Sequence, residues 1–462
     1  MINNILKLYK QSMDQRGAWG VRWDDCQKYA LPRADADNAQ LFDATAADCV
    51  DTLAANMFSL LTPPESLWIS LARANVAADG ANDGSSATDA ATAVLRANLN
   101  NSNFYTTIHQ CYLDLCVIGT ACLFMAENPI GAASAFSFSA IPMNDISILR
   151  DSTGAVTAIF HTTSMSIGAA VEKYPEWTPP RNLRDALKRD PEMQIRMVQS
   201  VIGNDFVAWL DTGGDIENNI VSRGKFETCP YIIFRWAAAS GEAYGRSPVL
   251  RALPDIKTAN KVVELVLKNA TIAVSGIWQA DDDGVINLSN INLTPGAIIP
   301  KAVGSTGLTP LKSGADFDVS QLILNDLRAR IRHALLADRL SVLADKQMTA
   351  TEIIARNADM MRILGATYGR LLHEFIRPLV ARGLSILARR GLIDPIDLNS
   401  DAELQFVAPI SQLATDERAT QIMSWITTAT AAGLGDKINR DAVVEYLANA
   451  LHIPAGLVSI NN

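Results

Sequence analysis

The apolar positions of this chain repeat most regularly between residues 241 and 390, where helical spacing sets in, is lost and resumes. Across residues 247–271, Ile256, Ala259, Val262, Val263, Val266, Leu267 and Ala270 share one face at ~100° per residue, with Lys257, Lys261, Glu264 and Lys268 opposite. That pattern predicts an amphipathic helix. Pro248 suits its first turn, and Pro254 lies close enough to the start to be tolerated with a bend. Residues 275–314 lose the period and carry Asp281-Asp282-Asp283-Gly284, Pro295-Gly296 and Pro300, which read as short strands and turns. From Asp318 the spacing returns. Val319, Ile323, Leu327, Ile331 and Leu335 share a side, Arg328, Arg332 and Arg339 cluster on another, and the helix ends near Leu340. After residues 341–348, Thr349 and Glu352 have capping-box spacing, and Ile354, Met361, Tyr368 and Phe375 recur every seven residues. A helix of about forty residues, ~60 Å long, is expected, with a kink where Pro378 breaks its ladder.

The flanks read as mixed structure. Residues 1–29 form a helical entry closed by Leu31-Pro32, and Val50, Leu53, Ala54, Met57, Phe58 and Leu61 mark a second helix before Pro63-Pro64. Residues 74–89, rich in Ala, Asp, Gly and Ser, read as a surface loop. A helix over 90–115 leads into strands at 121–125, 136–142, 156–161, 197–210 and 231–236, which predict a mostly antiparallel sheet. Strands that come in runs, without alternating crossover helices, make the fold class α+β, mainly α-helical. A short strand at 404–407 and helices at 415–431 and 440–450 complete the pattern.

Composition narrows the picture. Of 462 residues, 48% are hydrophobic and only 19% charged, a low charge share that implies extra buried surface such as subunit interfaces. No apolar run reaches the ~20 residues of a membrane span, and no secretory signal opens the chain. Six cysteines do not make a disulfide scaffold at this length. Cys111, Cys116 and Cys122 sit among Leu, Val, Ile and Phe with no His or fourth Cys at ligand spacing, so they read as buried thiols of a reducing compartment rather than a metal site. A net charge of −9 argues against a protein coated with basic surface.

The chain carries no complete catalytic motif. His373-Glu374-Phe375-Ile376-Arg377 starts like the zinc motif His-Glu-x-x-His but ends in Arg, so it reads as helix surface. No P-loop and no Gly-x-Ser-x-Gly elbow occur, and His109, His161, His333 and His452 are scattered. No enzyme, cofactor or metal is expected.

Several segments then match one family in its order: Arg22-Trp23 through Tyr29-Ala30-Leu31-Pro32, Phe42-Asp43-Ala44-Thr45, Leu53-Ala54 to Leu61-Thr62-Pro63-Pro64 with Trp68, Gly119-Thr120, Gly241-Glu242-Ala243-Tyr244-Gly245-Arg246-Ser247-Pro248, and Thr349-Ala350-Thr351-Glu352 with Arg356. The chain resembles the head-to-tail connecting proteins of short-tailed phages, the podoviral portal proteins. The resemblance implies a dodecameric ring at one capsid vertex of the virion, assembled in the host cytoplasm, through which double-stranded DNA is packaged and later ejected. It supplies names: a wing (1–246), a first stem helix (247–273), a clip (274–316), a second stem helix (317–340), a tunnel loop (341–348), a long kinked wing helix (349–400) and a crown (401–462). No long carboxy-terminal barrel is expected. A ring-forming tail adaptor or collar protein that binds proteins rather than DNA is the alternative.

A conduit must centre DNA without gripping it. Each neutralised phosphate strengthens binding, whereas twelve such subunits would surround the path with on the order of −100 charges that repel it. Isolated basic rings from Arg328, Arg332, Arg339 and Lys346 would then give weak, register-free contacts; alternatively these arginines pair with acidic residues of a neighbouring subunit, such as Asp326 or Asp338. Lys257, Lys261 and Lys268 read as a solvated or capsid-facing stripe, with inter-subunit pairing to Glu264 and channel lining as the alternatives. Asp281, Asp282 and Asp283 either steer the terminase large subunit and the tail adaptor protein to the clip or form a plain solvated turn. Capsid and scaffolding proteins are further expected partners. Pro378 either lets the long helix transmit movement or makes a static bend.

Overall fold

The computed structural model describes residues 2–32, 41–73, 83–212, 216, 219–275, 278–279, 309–310, 317–340, 365, 367–398, 400, 402–407, 422–431 and 443. The acidic turn 281–283, the loop 341–348 with Lys346, the capping box at 349–352 and the helix expected at 440–450 lie outside the described residues, Val443 apart.

Helices α1 (Ile2–Ala30) and α2 (Thr45–Leu61) precede β1 (Ile69–Arg73). Helices α3 (Asp83–Asn100) and α4 (Phe104–Val117) follow. Next come β2 (Thr120–Glu127), β3 (Phe136–Ala140), β4 (Ile146–Arg150) and β5 (Val156–Ser166). Short helices α5 (Ile167–Lys173) and α6 (Arg181–Arg189) lead to β6 (Gln194–Ile202), β7 (Asp205–Leu210), β8 (Ile220–Lys225) and β9 (Tyr231–Arg235). The long α7 (Pro248–Ser275) accommodates Pro254. Strands β10 (Trp278–Gln279) and β11 (Thr309–Pro310) pair antiparallel at the base of the excursion expected to hold short strands. Next come α8 (Phe317–Ala334), α9 (Ala337–Leu340), α10 (Arg377–Arg389) and β12 (Ala402–Phe406), and residues 422–431, the described part of the helix expected at 415–431, are helical.

The architecture is mixed helix and sheet, as the pattern predicted, but the single sheet becomes two. One is three-stranded in the order β3-β2-β9, the other five-stranded in the order β4-β5-β6-β7-β8, and every pairing is antiparallel. Pro142 opens a short 3-10 turn, Met143–Asp145, that carries the chain from β3 into β4. The stretch 197–210 is a hairpin, broken at Gly203-Asn204 between β6 and β7.

Two helical expectations also change. Helix α3 begins at Asp83, inside the stretch expected as loop. The helix expected over 90–115 is interrupted near Asn103, because asparagines there capture backbone elsewhere: Asn98 Oδ1 accepts from Ala135 N (2.8 Å), and Asn103 Oδ1 accepts from Phe138 N (2.8 Å) while its Nδ2 donates to Phe138 O (2.7 Å). Short polar side chains compete with the helix ladder in this way.

The main core gathers α1, α2, α4, the three-stranded sheet, the start of α7 and α10; Trp23, Tyr112, Phe234 and Phe375 are among its fully buried side chains. Cys111, Cys116 and Cys122 lie within it, where burial pushes their thiols well above the ordinary range. The amino-terminal half of α1 closes one face of the five-stranded sheet, with Tyr9 against Phe160 and Trp209. The short strand expected at 404–407 finds its partner far back in the chain: β12 pairs with β1, Phe406 opposite Ile69. No helix among the described residues is long and apolar enough to cross a membrane.

Candidate functional site

The amphipathic helices α7 and α8 pack on one another. On α8 the buried residues among those whose side chains are described are Leu324, Leu327 and Ile331, followed by Leu335 just past its end, so Leu324 takes the place expected for Ile323, which stays 47% exposed beside Leu322 at 72%. On α7, Ile256 and Ala259 are buried, but Leu265 and Leu267 are about half exposed (49% and 50%). Helix α8 stops at Ala334, earlier than expected. Leu336 adopts φ +60°, a left-handed conformation unfavourable for a branched residue, and α9 starts anew.

One short segment holds both helices. The chain before α2 presents the N–H groups of Phe42 and Asp43 to Asn260 Oδ1 of α7 (2.6 and 3.1 Å). Asp43 Oδ1 accepts from Thr45 N (2.9 Å) at the start of α2, and its Oδ2 accepts from Arg328 Nη2 and Nε of α8 (2.8 and 2.9 Å). Asp43 is buried and Arg328 about a third exposed. A buried carboxylate that receives a guanidinium and an amide fixes the relative position of three helices, since each bond is short and directional. Burial alone would raise the Asp43 carboxyl, but the bonds from Thr45 and Arg328 hold it below its usual range. A depressed folded-state pKa stabilises above the unfolded value and loses that stabilisation as pH falls. We therefore expect Asp43→Asn to cost about 2 kcal/mol at pH 7, and the gap from wild type to narrow below about pH 4, read by urea denaturation at the two pH values.

A second junction joins the sheets to the long helix. Gly119 turns α4 into β2 at φ +89°, and its O accepts from Trp236 N (3.0 Å) while Thr120 Oγ1 accepts from Gly245 N (2.8 Å). Beside it, Glu374 spreads its carboxylate over Arg235: Oε2 accepts from the backbone N (3.0 Å) and Oε1 from Nη2 (2.5 Å), with Arg150 Nη1 at 3.9 Å. Arg370 Nη1 donates to Trp236 O (3.0 Å). Glu374 is therefore not the helix-surface residue expected. At 12% side-chain exposure it is the counter-charge of two guanidiniums that are 5% and 8% exposed, a burial that a carboxylate tolerates only when paired.

The sequence profile of the bacteriophage head to tail connecting proteins matches residues 3–458. The chain belongs to that family. Its relatives include a probable portal protein of Bordetella phage BPP-1, 23% identical over 512 residues that cover 99% of this chain and 89% of the relative. The portal protein of Enterobacteria phage T3 is 22% identical, over 96% of this chain and 86% of its own. The solved neck of an empty gene transfer agent particle aligns over 90% of this chain and 94% of that chain, at 10% identity and a TM-score of 0.41. The chain is thus a portal-type connector, a structural component of a bacteriophage particle.

In the connector, the segments that carried the resemblance converge. Residues 42–45 clamp the helix pair, while 119–120 and 241–248 interlock. Of the four basic candidates, Arg328 is engaged by Asp43 of its own chain. Arg332 is exposed on α8 and lines a shallow cavity of about 310 Å³ with Asp48 and Asp338. Arg339 lies on α9, past the Leu336 turn, and Lys346 is outside the described residues. Of the lysine stripe, Lys261 and Lys268 bracket Glu264 on α7 (2.9 and 2.6 Å), and Lys257 pairs with Asp25 of α1 (2.6 Å). Pro378 sits in the first turn of α10, where its missing N–H is tolerated. The turn before it, Leu372–Ile376, is a π-helix whose ladder widens so that Arg377 N donates to Leu372 O.

Proposed function

We propose that the connector works as a dodecameric ring at the capsid vertex of the virion, assembled in the host cytoplasm, with α7 and α8 as its stem around a channel for double-stranded DNA. The observation that carries this reading is the apolar surface left on the clamped helix pair: Leu265 and Leu267 on α7, Leu322 and Ile323 on α8. Half-exposed leucines on long paired helices find cover when copies stand side by side, and burying what remains exposed is worth about 1 kcal/mol each per interface. The chain's similarity to the probable portal protein of Bordetella phage BPP-1 and the portal protein of Enterobacteria phage T3 supports the same reading.

On this reading Arg328 belongs to the clamp, and weak DNA contact falls to Arg332, Arg339 and Lys346. The span 274–316 is the clip, whose Asp281–Asp283 turn steers the terminase large subunit and the tail adaptor, and the 1–246 wing faces capsid and scaffolding proteins. The test is electron microscopy of end-on views with rotational symmetry analysis. Wild type is expected to form closed rings with a hole wide enough for duplex. Leu265→Glu combined with Leu322→Glu is expected to leave folded chains that no longer close. Rings of the double variant indistinguishable from wild type would remove these leucines from the interface, and a wild type that never assembles would remove the ring.

A further inference from the structure

The excursion between β5 and β6 covers the face of the five-stranded sheet that α1 leaves open. Ile195 and Met197 of β6 and Ala208 and Leu210 of β7 lie on that face, alternating with Val198, Val207 and Trp209 beneath α1. Helix α5, Trp177 and one side of α6 pack over it. On α6 that side is Leu183, Ala186 and Leu187, at the i, i+3, i+4 spacing of a single helical face.

The outer side of α6 is basic. Arg181, Arg184, Lys188 and Arg189 are exposed there with one carboxylate, Asp185, which puts four cations on ~13 Å of helix in a chain whose net charge is −9. None of the four side chains has an ion-pair or hydrogen-bond partner among the described residues. Arg196, at the start of β6, is by contrast paired with Asp211 (3.0 Å). Helix stability does not account for the arrangement, because Arg181 and Arg184 occupy the first turn, where the macrodipole disfavours cations. Two kinds of partner answer such a face, an acidic protein and the phosphates of a nucleic acid. A protein interface is anchored by apolar or aromatic side chains, and α6 exposes none; Met193, 44% exposed, comes only after the turn that follows the helix. A phosphate backbone needs only point cations. Asn182 is the one exposed uncharged polar side chain of the helix, too little to read base edges.

We propose that α6 is a sequence-independent contact for the phosphate backbone of duplex DNA, separate from the channel. Helix α6 packs on α5 and the sheet, whereas α7 and α8 pack on one another and on α1 and α2, so the contact stands whether or not the chains close into a ring. The experiment uses covalently closed circular duplex, which cannot thread a preformed ring, and measures its retention by the full-length chain over a series of salt concentrations. Wild type is expected to bind, with log affinity falling linearly against log salt. Arg184→Glu combined with Lys188→Glu is expected to weaken binding at least about tenfold at low salt and to flatten the slope by about 2, one for each lost phosphate contact. Both positions are exposed, so the fold is retained, with circular dichroism as the check. Lys7→Glu combined with Lys10→Glu makes the same charge change at exposed positions of α1, which covers the opposite face of the sheet, and is expected to keep the wild-type slope. Binding that persists in chains that form no ring would support the contact and count only against the channel. Wild type that does not retain the circle at low salt, or an α6 variant that binds as well as the α1 variant, would overturn the proposal. So would capture of poly-glutamate where duplex fails, which would assign the face to an acidic protein.

Discussion

Glu374→Ala is expected to lower the stability of the connector by about 3–5 kcal/mol, because it leaves Arg235 and Arg150 buried without their counter-charge. The carboxylate makes three close contacts with Arg235 through its backbone N, Nε and Nη2, all at 3.2 Å or less, and the long helix brings no second carboxylate to the cluster among the described residues. Glu374→Gln should fall between wild type and alanine, since an amide oxygen still accepts from the Arg235 N–H but carries no charge. The exposed pair Glu242–Arg246 provides the contrast: removing it should cost less than about 1 kcal/mol. Thermal and urea unfolding of the three variants measures the difference. An alanine variant as stable as the Glu242→Ala control would mean that the cluster does not hold the sheets to the helix.

Gly119→Ala is expected to be at least as damaging, at about 3 kcal/mol or more, from left-handed strain and backbone collision together. A methyl at Gly119 would stand 2.5 Å from Ser247 N and 2.6 Å from Arg246 C, atoms of a chain that cannot step aside without moving the start of α7. Gly245 is the other half of the contact: a methyl there would overlap Gly119 O and sit 2.9 Å from Arg235 Cβ. Gly17, inside α1 with open space around it, is the control, and Gly17→Ala should gain up to about 1 kcal/mol. Soluble yield and unfolding midpoint measure both. Equal behaviour of Gly119→Ala and Gly17→Ala would show that the two backbones have room to separate.

Much of the connector was legible because a helix writes its own face into the chain. The period of 256–270 and of 327–335 marked α7 and α8 as amphipathic, and both pack as expected through Ile256, Ala259, Leu327, Ile331 and Leu335. The ordered segments at 22–32, 42–45, 119–120 and 241–248 carry the family resemblance in the sequence itself. Periodicity was less exact about which neighbour turns inward, and Leu324 rather than Ile323 is buried, since an angle of ~100° per residue leaves two adjacent positions near the edge of a face. Nor could it see where α8 stops, because the Leu336 turn lies in a run that is locally helical in composition.

The long-range contacts are decided only by the fold. Asp43 finds Arg328 at a separation of 285 residues, and Glu374 finds Arg235 at 139. A carboxylate next to a histidine on a helix reads as surface until a strand from elsewhere brings its guanidinium, and a glycine in a motif gives no sign of which backbone it admits. Local sequence determines which faces are apolar and where helices begin, through spacing and side-chain entropy. The partner of a buried charge is decided by tertiary structure, because only the assembled layers exclude the water that would otherwise satisfy it.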